Sequence, residues 1–136
     1  MKAFRYLLAK YRPQDDSKPP VSIGIIIQSD DEIKCKFTSN VEQVTKVVGE
    51  NIVDELIFKN LEKTFNENFK KKELTITDRV TRQRKTILYT SPEYLNYLLT
   101  NFLNNYVFED YRLIEAETID DGLVRLYKNF VDPTFN

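Results

Sequence analysis

The sequence predicts an α+β fold, an N-terminal antiparallel β-meander with three or four helices packed on a largely antiparallel sheet. Three observations predict it. The first forty residues hold three extended stretches parted by turn-rich polar loops. Residues 41–69 repeat apolar side chains at helical spacing. Two later segments open on helix-start signals and continue as amphipathic stripes. At 136 residues the chain reads as a single domain, 1–136.

Ala3 to Tyr11 is rich in aromatic and aliphatic side chains and stops at Arg12-Pro13, so it reads as a strand. Residues 14–20 (QDDSKPP) are polar and end in two prolines, which marks an exposed loop. In the stretch 21–28 (VSIGIIIQ), Val21, Ile23, Ile25 and Ile27 share one face; Ser22, Gly24, Ile26 and Gln28 share the other. After the polar turn Ser29-Asp30-Asp31-Glu32, residues 33–38 alternate Ile33, Cys35 and Phe37 against Lys34, Lys36 and Thr38. That is the pattern of a half-buried hairpin strand.

Ser39-Asn40 supplies a helix N-cap, and Glu42 suits the positive end of the helix dipole. Val41, Val44 and Val48 begin a stripe that Ile52, Val53, Leu56, Ile57, Leu61, Phe65 and Phe69 prolong. Gly49 costs a helix interior about 1 kcal/mol relative to Ala, so a break or kink is expected there. If the stripe is core, Leu56→Ala or Leu61→Ala costs about 2–5 kcal/mol.

Short strands are expected at 74–77 and 86–89, joined by a polar, basic connection. Ser91-Pro92-Glu93 starts a helix with the buried stripe Leu95, Leu98, Leu99, Phe102 and Leu103, ending near Asn104-Asn105. Residues 111–117 alternate like a strand. Thr118-Ile119-Asp120-Asp121 then resembles a capping box before Leu123, Leu126, Tyr127, Phe130 and Val131, which Pro133 stops. The helices are expected on one face of the sheet.

With these elements placed, residues 4–13 (FRYLLAKYRP) and 20–37 (PVSIGIIIQSDDEIKCKF) resemble the opening of a microbial family, domain-of-unknown-function family 3037. Lys10-Tyr11-Arg12-Pro13 and Ile23-Gly24-Ile25 take the places of its basic-Tyr-x-Pro element and its second strand. Residues 118–131 (TIDDGLVRLYKNFV) resemble its terminal helix. The acidic residue and Asn that this family carries before the Gly are replaced near Pro20 and Ser22, which removes a polar site there. The resemblance supplies no reaction. It implies an interaction role beside kinase-like toxin proteins.

Composition excludes more chemistry than it suggests. No histidine is present, which removes imidazole bases and zinc sites that need them. The single cysteine, Cys35, sits on an apolar strand face and reads as packing. Three glycines cannot build a phosphate-cradling loop. No catalytic residue, metal or cofactor is expected, nor a small-molecule substrate. No apolar run reaches the roughly 20 residues that span a bilayer, so no membrane is expected, and the lone cysteine fits a cytoplasmic location.

Three surfaces remain. Asp15, Asp16, Asp30, Asp31 and Glu32 lie in two turns, and Glu32-Ile33-Lys34 has the Glu-x-Lys spacing of some metal-dependent nucleases; solvated turns, which ordinarily hold Asp, are the favoured explanation. From Lys70 to Lys85, Lys70, Lys71, Lys72, Arg79, Arg82, Arg84 and Lys85 stand against Glu73 and Asp78, a local excess of five positive charges with Tyr89 beyond it. This is either a nucleic-acid contact or a solvated connection. Tyr94, Tyr97, Tyr106, Phe108 and Tyr111 form an aromatic segment fit for a protein partner or self-association. The leading expectation is a non-enzymatic protein-interaction or adaptor module. The alternative is nucleic-acid binding through 70–85, and the third reading is the nuclease.

Overall fold

The computed structural model describes residues 1–15, 17–100 and 105–131. In chain order they form β1 (Lys2–Tyr11), β2 (Val21–Gln28), β3 (Ile33–Phe37), α1 (Val41–Val48), α2 (Ile57–Phe69), β4 (Glu73–Thr77), β5 (Arg84–Leu88), α3 (Pro92–Thr100), β6 (Tyr106–Ala116) and α4 (Ile119–Phe130). The fold is α+β. β1 pairs antiparallel with β2, and β2 with β3, which is the expected meander. β6 completes a four-stranded antiparallel sheet ordered β3-β2-β1-β6, while β4 and β5 form a separate two-stranded sheet.

The last strand of the large sheet starts at Tyr106, earlier than the expected Tyr111. It follows β1 along its whole length, from Lys2 opposite Ala116 to Tyr11 opposite Tyr106. A bulge opposite Tyr6–Leu8 interrupts the alternation, and Asp110 within it adopts φ 61°. That local break in period is what hid the first half of the strand.

Helices cover both faces of the sheet, which corrects the one-face expectation. On one face, Tyr6 meets Phe130 of α4 with ring centroids 6.5 Å apart. There Gly122 lets α4 sit on Ile27: a Cβ on that glycine would fall 2.9 Å from the Ile27 Cδ1. On the other face Tyr11 meets Phe58 of α2 edge-on at 6.0 Å, and Phe37 stacks on Phe65 at 5.9 Å. The cause is β2 itself, which is buried continuously from Ile23 to Gln28 and needs a layer on each side.

The long stripe of 41–69 divides at Gly49, which closes α1 at φ 71° with its N–H donated to the Thr45 carbonyl at 2.9 Å. α2 resumes only at Ile57. Val53 and Leu56 therefore lie outside any helix, 81% and 54% exposed, and the stripe's expected core role is withdrawn for both. Phe58, fully buried, takes their place. Leu61 stays half-buried in α2.

α3 begins as expected, with the Glu93 N–H donated to the Ser91 hydroxyl at 3.1 Å. Its expected end, with Phe102, Leu103 and Asn104, lies outside the described residues, as does Pro133. The Thr118 hydroxyl caps α4, accepting from the Asp121 N–H at 3.1 Å.

Candidate functional site

The basic stretch is a β-hairpin. Lys70, Lys71 and Lys72 close α2 at its base, and Lys72 turns the chain at φ 66°. There the Lys72 carbonyl accepts the Tyr89 N–H at 2.9 Å. β4 and β5 pair in register, Leu74 opposite Ile87 and Thr75 opposite Thr86. Asp78 builds the far turn: its carboxylate accepts the Val80 and Thr81 amides at 2.8 and 3.1 Å. Those amides hold its carboxyl below the usual carboxylate range. The turn presents Arg79 and Arg82, and Arg84 and Lys85 begin β5.

All seven basic residues are exposed. Lys85 pairs with Glu93 of α3 at 2.8 Å. Lys70, Lys71, Lys72, Arg79, Arg82 and Arg84 make no ion pair among the described residues. Elsewhere Arg5 pairs with Asp30, Lys10 with Glu109 and Lys34 with Asp120, and Lys36 lies over the Tyr127 ring, while Lys2, Lys59, Lys63, Arg112 and Lys128 are exposed without an ion pair among the described residues. Six cations without an ion pair are thus close in sequence at the base, turn and second strand of one hairpin.

Tyr89 does not belong to that surface. It is 5% exposed and packs edge-on against Phe69 at 5.4 Å and Tyr94 at 4.8 Å, so no base can stack on it. The expected tyrosine surface is likewise divided. Tyr94 is 3% exposed and Phe108 is 2% exposed, the latter edge-on to Phe65 at 6.1 Å; both are core and unavailable to a partner. Burial raises the Tyr94 hydroxyl pKa strongly and pushes Tyr106 up to about 12. Tyr97, Tyr106 and Tyr111 are half-buried. Two of the five are core because one helix and one strand turn them inward.

The acidic turns are built as turns. Asp15 accepts from the Ser17 amide and hydroxyl at 3.0 and 2.7 Å, and Asp16 lies outside the described residues. Ser29 accepts the Asp31 and Glu32 amides at 3.2 Å, while Lys34 turns to Asp120 on α4 at 2.9 Å. Among the described residues no three His, Cys, Asp or Glu side chains gather to hold a metal ion. Cys35 is buried, its thiol donating toward Asn66 Oδ1 at 3.4 Å, and burial raises its pKa away from a reactive thiolate.

Sequence reasoning missed Arg5 and Gln28. Gln28 is fully buried; its amide donates to the Tyr89 carbonyl at 2.8 Å and accepts from Arg5 Nε at 2.7 Å. Arg5 also donates to the Thr90 carbonyl at 3.1 Å. This network ties the end of β5 to the large sheet. The signal was an arginine inside an apolar strand and a glutamine closing another. Beside it, a cleft of about 450 Å³ separates Asp31 and Glu32 from Lys70, Lys72 and Leu88. Among the described residues no helix is long and apolar enough to cross a membrane. Set against known proteins, the chain matches no family model, no curated protein and no solved structure.

Proposed function

We propose that the chain is a non-enzymatic binding module whose β4–β5 hairpin engages the phosphates of nucleic acid. One observation carries this reading: six exposed basic side chains without ion-pair partners among the described residues stand at the base, turn and second strand of a single hairpin. Its local excess of positive charge survives a chain net charge of −1 because the balancing acids are mostly elsewhere. Six phosphate contacts would give a log–log salt slope of about −5 on duplex DNA. The test is fluorescence anisotropy with a labelled mixed-sequence oligonucleotide. Arg79, Arg82 and Arg84 changed together to Ala should weaken binding and make the slope shallower by about 3. Unaltered affinity and slope would remove the hairpin from the interface.

A second reading, protein contact or self-association, is favoured by the exposed Val47, Val53 and Leu56 around the α1–α2 connection. It is also what the family resemblance implies. Its mark would be a dimer whose mass does not respond to salt, since an apolar interface is little screened.

A further inference from the structure

Resting on the nucleic-acid reading, we infer that the hairpin's ligand is the major groove of B-form duplex DNA, in preference to a single strand or an RNA duplex. The register decides what the ribbon offers. Thr77 opposite Arg84, Thr75 opposite Thr86 and Glu73 opposite Leu88 share one face, and all six are exposed. The other face carries Leu74, Ile76 and Ile87, which pack on the core, and Lys85, opposite Ile76, which pairs with Glu93. The ribbon therefore lies with its inner face on the body and its outer face free.

That outer face has no ring. Nor has the turn, which reads Asp78-Arg79-Val80-Thr81-Arg82-Gln83. The neighbouring rings, half-buried Phe69 and buried Tyr89, are engaged edge-on with each other. Single-strand binding draws much of its strength from bases stacked on aromatic side chains, and this surface supplies none. What it offers instead is a strip of threonine hydroxyls and methyls, with Arg84 and Gln83 toward the turn and Glu73 and Leu88 toward the base. Threonine contacts either base edges or the thymine methyl, arginine fits guanine and glutamine fits adenine in the major groove.

Dimensions agree. Two strands about 4.8 Å apart, with side chains, make a ribbon about 10 Å wide, which a B-form major groove about 12 Å wide admits. The A-form major groove of RNA is too narrow to admit it. Five-residue strands set the basic base, Lys70 to Lys72, about 17 Å from the basic tip, Arg79 and Arg82, so each end meets a different stretch of backbone.

The test compares the intact chain binding one sequence as a DNA duplex, an RNA duplex and a DNA single strand at equal salt. Duplex DNA is expected tightest by about tenfold or more. Thr75→Glu with Thr86→Glu should abolish that advantage, with an unchanged melting curve showing that the fold persists. A single strand bound as tightly as the duplex, or an RNA duplex bound equally, overturns the groove assignment and leaves phosphate binding standing. A double variant that folds yet keeps the advantage also overturns it. No binding to any of the three at low salt overturns the assignment together with the reading beneath it.

Discussion

At the scale of single residues, the most consequential side chain is one that the hydrophobic pattern passes over. Gln28 is buried between sheet and hairpin, and both ends of its amide are used. Gln28→Leu would keep the volume but strand the Tyr89 carbonyl and one Arg5 donor. The expected cost is about 1–3 kcal/mol, the penalty of leaving a buried polar group unpaired. Urea unfolding measures it, and an unchanged midpoint would mean water or a rearranged Arg5 replaces the amide. Tyr106 makes a second residue-level prediction. Its hydroxyl is raised to about 12 by burial first, then by Tyr11 and Asp54, so the folded state holds that proton more tightly than the unfolded chain. The associated stability is complete below about pH 10, the unfolded phenol's pKa, and is lost as pH rises through 12. Tyr106→Phe should flatten the fall in stability across that window. An absorbance titration showing Tyr106 ionising near pH 10 would contradict the assignment.

At the scale of elements, the sequence displays some boundaries and conceals others for definite reasons. The three meander strands, the Gly49 stop, the Ser91-Pro92 start and the Thr118 cap are all written in local chemistry, and each is found in place. The stripe beyond Gly49 misleads because apolar spacing persists across the connection. Val53 and Leu56 continue a helical period in letters while the backbone is not helical. The site was only half legible. The basic residues and both short strands are visible in sequence, but the strand ends are not, because Glu73 and Arg84 extend strands whose buried side chains are only Leu74, Ile76 and Ile87. The network of Arg5 and Gln28 is legible only in three dimensions, since its partners lie 23 to 85 residues apart. A pair of truncations tests the revised core. Phe58→Ala should cost about 3–5 kcal/mol, and Leu56→Ala at most about 0.5 kcal/mol, reversing what the stripe alone expects. Equal effects in thermal unfolding would mean that the connection packs more tightly than its exposure indicates.

At the scale of the whole molecule, near-neutral charge conceals a division along α2. Glu50, Asp54 and Glu55 precede its N-terminus, and Lys70 to Lys72 follow its C-terminus. Two of the acids also hold backbone: Glu50 accepts the Gln14 N–H, and Asp54 accepts the Leu56 N–H at 2.9 Å. Glu55 is exposed and is free to be changed without disturbing those turns. The 13 residues of α2 separate it from the lysines by about 20 Å. That spacing exceeds the Debye length of about 8 Å at physiological ionic strength but not the 30 Å found at 0.01 M. A polyanion approaching the hairpin should therefore feel the acidic end at low salt and ignore it near 0.15 M. Glu55→Lys is expected to raise the association rate about two- to threefold at 0.01 M and to leave it unchanged at 0.15 M, with little effect on dissociation in either case. Stopped-flow mixing with a labelled duplex reads both rates. An effect that persists at 0.15 M would place Glu55 at the contact itself, and the interface would then include the α1–α2 connection as well as the ribbon.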